Sequence, residues 1–65
     1  MKGKYNITNI KKGDLVFFER IGIDNFDLYW TVIDIVNGMI EVEIDEMGHK
    51  EKIFIDIADV KYLKQ

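Results

Sequence analysis

Among the residues able to do chemistry, carboxylates dominate and nucleophiles are scarce. The chain carries twelve Asp and Glu, a single His and no Cys. It has no Ser either, so the hydroxyl candidates reduce to Thr8 and Thr31, and Thr31 is predicted to point inward. His49 stands alone on a predicted turn, with no nucleophile to activate and no third group to orient it. Paired carboxylates do acid–base work only where a cleft perturbs their pKa values, and a 65-residue domain has little room for one. Asp24, Asn25 and Asp27 offer oxygens at short spacing, but a calcium loop of the EF-hand kind needs more ligands and a closing glutamate. The plainer expectation is a solvated turn whose side chains bond their own backbone. Glycine-rich phosphate loops and zinc spacings are absent from the sequence. These residue types predict a protein that is not an enzyme, with no cofactor, no metal and no small-molecule substrate.

The remaining chemistry is recognition, and its position depends on the strands. Asn37-Gly38 lies between two β-rich runs, and both residues tolerate the positive φ of a type I′ turn. Pairing outward from that turn sets Val36 opposite Met39, Ile35 opposite Ile40, Ile33 opposite Val42 and Thr31 opposite Ile44. Met47-Gly48 gives a second hairpin, with Glu46 opposite His49, Asp45 opposite Lys50, Glu43 opposite Lys52 and Glu41 opposite Phe54. Val42 then meets Ile53, and Ile40 meets Ile55. Both hairpins therefore predict the same core face. Opposite charges at two of these pairs help hold the register, at roughly 0.2–1 kcal/mol each. One pair conflicts: Asp34 falls opposite Glu41, so either a bulge shifts the strand or a positive group lies nearby.

Sixty-five residues make one domain, burying only about 60% of its unfolded surface. No disulfide can staple it, so β-branched packing, a partner or a second copy must help. The absence of Cys and of a long apolar segment fits a cytoplasmic protein that does not enter a membrane. Net charge is −3, unevenly spread: residues 1–12 carry four lysines and no acid, and the rest is −7. An acidic body disfavours non-specific nucleic-acid binding over most of the surface.

In chain order, residues 1–9 form a partly ordered arm, with Tyr5, Ile7 and Ile10 able to seat it as a short strand. Residues 10–65 form the domain. Lys12-Gly13-Asp14 is a turn, Leu15 to Arg20 a strand, and 21–27 the longest loop. After the two hairpins, Asp56 to Val60 reads as one turn of 3₁₀ helix before a last strand from Val60 to Leu63; a short α-helix is the competing reading.

The stretch Ile10-Lys-Lys-Gly13-Asp14-Leu-Val16, then Ile33-x-x-x-x-Gly38-x-Ile40-x-Val42, then Ile55-x-x-Ala-Asp59-Val60-x-x-Leu63 resembles the SH3-like barrel. That group includes Tudor, chromo-barrel and KOW-type modules. The resemblance spans about Ile10 to Leu63 and implies an all-β fold: a small five-stranded antiparallel barrel with a short 3₁₀ turn before its last strand.

Three surfaces are candidates. The predicted outer face presents Trp30, Val32, Val36, Met39 and Phe54, rimmed by charges that include Glu41 and Glu43, as a protein-protein or self-association patch. Phe26, Tyr29 and Trp30 could form an aromatic cage for a cation of the kind Tudor-type modules hold, with Asp24 or Asp27 as charge partner. Lys11, Lys12, Lys61 and Lys64, joined by Lys2 and Lys4, could contact nucleic acid, with Tyr5 and Tyr62 stacking on bases. The expected function is a binding module for a protein partner. The alternatives are a nucleic-acid-binding barrel, and a small phage or mobile-element inhibitor whose acidic sheet of Asp34, Glu41, Glu43 and Asp45 occupies a basic groove.

Overall fold

The computed structural model describes residues 5–64. It is all-β: β1 (Leu15–Phe18), β2 (Trp30–Val36), β3 (Met39–Glu46), β4 (His49–Asp56) and β5 (Val60–Lys64). Neighbouring strands run antiparallel in one unclosed sheet of order β4-β3-β2-β1-β5, so β4 and β5 are its edges. A 3₁₀ turn, Ile57–Asp59, precedes β5. Asp56 starts it by accepting a hydrogen bond from the Ala58 N–H, and Val60, already extended, ends it after one turn by donating its N–H to the Ile57 carbonyl. No helix among the described residues is long and apolar enough to cross a membrane.

The two hairpin turns form as the sequence predicts. Asn37 and Gly38 both have positive φ, 52° and 80°, and Met47-Gly48 repeats the pattern at 54° and 82°. The β3–β4 register matches the expectation from Glu46 opposite His49 down to Ile40 opposite Ile55.

β2 departs from it. Val36, Ile35 and Asp34 pair with Met39, Ile40 and Glu41, but the register then slips, and Val32, not Ile33, faces Val42. Thr31 faces Glu43 rather than Ile44. Ile33 is the extra residue of a β-bulge. A one-residue slip inverts every side chain beyond it. Trp30 and Val32, expected to face outward, are therefore buried at 0% and 1% exposure, while Thr31 is turned to the outer face. The inversion is favourable because it buries an indole in place of a threonine, and Trp is the largest apolar body the chain has.

The core comprises Ile10, Val16, Phe18, Trp30, Val32, Ile40, Val42, Ile44, Ile55 and Val60. Phe18 meets Trp30 edge-on, ring centres 5.2 Å apart. Tyr5 and Ile7 pack against this cluster as expected, but through a 3₁₀ turn, Ile7–Asn9, rather than a strand. Its geometry is set locally: the Asn9 N–H donates to the Asn6 carbonyl, and the Asn6 N–H donates to the Asn9 side chain. Lys2 and Lys4 lie outside the described residues. At the sheet's open side, the Arg20 guanidinium donates to the Phe54 carbonyl of edge strand β4 and lies 3.8 Å from Asp59. One side chain thus ties the end of β1 to both β4 and the 3₁₀ turn.

Candidate functional site

The 19–29 connection is built around Asn25. Its side-chain amide donates to the Phe18 carbonyl at 2.6 Å, and its side-chain oxygen accepts from the Asp27 N–H. Its own carbonyl accepts from the Leu28 N–H and from the Trp30 indole N–H at 3.1 Å. Asp24 accepts from the Phe26 N–H, so the expected Asx bonding of this loop is present. Phe26 and Asp27 both occupy the left-handed region, at φ 56° and 55°. For a bulky aromatic that conformation is costly, and it persists where surrounding contacts over-determine it. Here the Phe26 ring lies parallel to Trp30 at 6.2 Å and stacks on His49 at 3.8 Å. The loop is thereby pinned to the core and to the β3–β4 turn.

This arrangement takes the proposed cage apart. Trp30 is enclosed, Phe26 is sandwiched between Trp30 and His49, and Tyr29 points to the opposite face, against Phe17. The expected Trp30–Phe54 patch is likewise divided. Phe54 stays outside at 45% exposure, with Val36 at 41% and Met39, Glu41 and Glu43 half-buried beside them, but Trp30 and Val32 have left that face. Asp34 remains opposite Glu41, because the bulge lies beyond that pair and leaves it in register; of the two explanations offered, the positive neighbour is the one that holds, with the Lys12 ammonium 3.8 Å from Asp34.

The candidate lysines Lys11, Lys12, Lys61 and Lys64 do not make one free basic patch. Lys12 faces Asp34, Lys61 lies 3.9 Å from Glu19, and the Lys64 ammonium sits 4.6 Å from the centre of the Tyr29 ring. Lys11 is exposed, and its backbone N–H donates to Asp14.

The bulge creates a different surface. On the outer face of β5, β1 and the start of β2, Tyr62, Phe17 and Tyr29 form a row with ring centres 6.0 and 5.8 Å apart. The row follows from pairing: Phe17 stands opposite Tyr62, and alternates with buried Val16 and Phe18. Tyr62 is 53% exposed and Leu15 37%. Beyond Tyr29 the row opens into a groove of about 370 Å³. Leu15, Leu28, Tyr29 and Ile44 supply its apolar lining, and Thr31 a hydroxyl. Its carboxylates are Asp27 from the loop and Glu43, Asp45 and Glu46 from β3. None of these four makes an ion pair within 4 Å among the described residues, although Lys52 and Lys50 stand across the strand from Glu43 and Asp45. A second, more open hollow is lined by Glu19, Arg20, Ile21, Ile23, Asp24, Asn25 and Lys61; Lys61 lies beside Glu19, Arg20 beside Asp59, and Asp24 accepts from the Phe26 N–H.

Of the groove residues, Tyr29 with Asp27, and separately Glu43 and Asp45, are candidates from sequence; Leu15, Leu28, Thr31 and Glu46 are not assembled with them. A signal was there. Thr31 and Asp34 are the polar residues of β2 and lie three apart. A regular strand would put them on opposite faces, whereas one extra residue between them puts both outside, beside Glu41 and Glu43.

Comparison of the chain with protein-family models, with curated proteins and with solved structures returned no match.

Proposed function

We propose that this chain is a small non-catalytic module that binds a protein partner through the outer face of β5, β1 and the start of β2. The observation carrying the reading is the continuity of an aromatic row, exposed at Tyr62 and half-buried at Phe17 and Tyr29, with a groove whose four carboxylates have no ion-pair partner among the described residues. Aromatic side chains give large contact area at little entropic cost, and they anchor interfaces. The strand order, the bulged and redirected β2, and the 3₁₀ turn before β5 support a fold of the SH3-like barrel kind. Acidic walls favour a basic protein surface over phosphate. That is also the chemistry an inhibitor of a nucleic-acid-binding protein would use.

The test is an affinity capture with wild type beside a Leu15→Lys/Tyr62→Ser variant, both checked for folding by circular dichroism. Both positions are exposed, at 37% and 53%, and a variant that keeps the wild-type spectrum should lose the wild type's specific protein partner. Equal capture by the variant contradicts the assignment of this face. Capture abolished by nuclease treatment points to nucleic acid instead.

A further inference from the structure

The groove's chemistry narrows the partner. We propose that it receives a lysine or arginine side chain from an extended segment of a partner protein, with the aliphatic stem against Leu15 and Leu28 and the cation at the carboxylates of Glu43 and Asp45. This rests on the reading that the groove is the partner-binding site.

Three independent features converge on that occupant. First, the groove's lining is mixed: Leu15 and Leu28 are apolar, while Asp27, Glu43 and Asp45 are acidic. A long apolar stem ending in a cation satisfies both kinds of wall, which neither a purely apolar nor an anionic segment does. Second, the chain itself already places a cation on one wall. Lys64, paired with Leu15 across β1 and β5, holds its ammonium over the Tyr29 ring at 4.6 Å. Third, the acidic groups are not consumed internally. Where the lysines of other parts of the surface sit beside Asp34 and Glu19, the groove carboxylates have no such neighbour within 4 Å among the described residues. A negative, partly walled groove concentrates field and favours a cationic visitor. Single-stranded nucleic acid would find rings to stack on in the same row, but its phosphates would have to pass these carboxylates.

The experiment is an amide-shift NMR titration of the ¹⁵N-labelled chain with a short unstructured peptide of glycine, leucine and arginine. Its twin carries citrulline, which has the same shape without the charge, in place of arginine. The arginine peptide should shift Leu15, Tyr29, Thr31 and Glu43. The citrulline peptide should bind at least about tenfold more weakly, as should the arginine peptide to the Glu43→Gln/Asp45→Asn variant; the arithmetic is that of one lost charge contact. Equal binding of the two peptides at these residues overturns the cation assignment and leaves the groove as the partner site. Failure of both peptides to shift these residues, or shifts scattered over every acidic residue, overturns the groove itself. Shifts at the same residues with an octathymidylate, and none with the arginine peptide, make the surface a nucleic-acid platform.

Discussion

Trp30→Ala should destabilise the domain by about 3–5 kcal/mol, the cost of emptying a fully buried aromatic site. Trp30 is the largest enclosed side chain, and both Phe18 and Phe26 pack on its ring. Its indole N–H also holds the 19–29 loop through the Asn25 carbonyl. A domain of this length has a total stability on the order of 3–10 kcal/mol, so the substitution removes most of it. Thermal denaturation followed by circular dichroism should show the midpoint lowered by roughly 12–40 °C, or no cooperative transition at all. Phe54→Ala, on an aromatic that is 45% exposed, should cost less than about 1 kcal/mol. Equal losses from the two variants would mean that the indole is not in the core.

Asn25→Ala should cost about 2–3 kcal/mol, because it leaves the partly buried Phe18 carbonyl and the Asp27 N–H without their partner. Asn25→Asp separates this account from simple loss of volume. Aspartate keeps the acceptor for Asp27 but sets a carboxylate oxygen where the amide now donates to Phe18 at 2.6 Å. The near-isosteric change should therefore be at least as damaging as alanine. Urea denaturation of the three proteins measures this, and stability of Asn25→Asp close to wild type would contradict the assigned hydrogen bonds. Because Asn25 also fixes Asp27 and Leu28, both variants should weaken any ligand of the groove beyond their effect on folding.

The hairpins were legible because their turns need particular backbone angles and their strands need a dry face. Those two demands, read at Asn37-Gly38 and Met47-Gly48, specify the β3–β4 register residue by residue. β2 was less legible, since Trp30, Val32, Ile33 and Ile35 are all fit for a core and alternation cannot choose among them. The conflict between Asp34 and Glu41 did not locate the bulge, which falls just beyond that pair and leaves it in register; its consequence, the inversion of every residue from Ile33 back to Tyr29, is a property of chain geometry rather than of any residue type. The groove was hidden for the same reason. Its members come from β1, the 19–29 loop, β2 and β3, and only the inverted start of β2 brings Tyr29 and Thr31 to the side where Glu43 and Asp45 stand. The Asx bonding of Asp24 and Asn25 was readable locally, but the left-handed Phe26 that stacks on His49 was not, because its cost is offset by contacts distant in sequence.

The most direct test of this account is a single NOESY spectrum of the free chain. It should connect the Trp30 indole to Phe18 and Phe26, the Tyr29 ring to Phe17 and the Lys64 side chain, and the β2 backbone at Val32 to Val42. Contacts between Ile33 and Val42, with Trp30 beside Glu43 on the outer face, would show an unbulged strand and remove the groove with it.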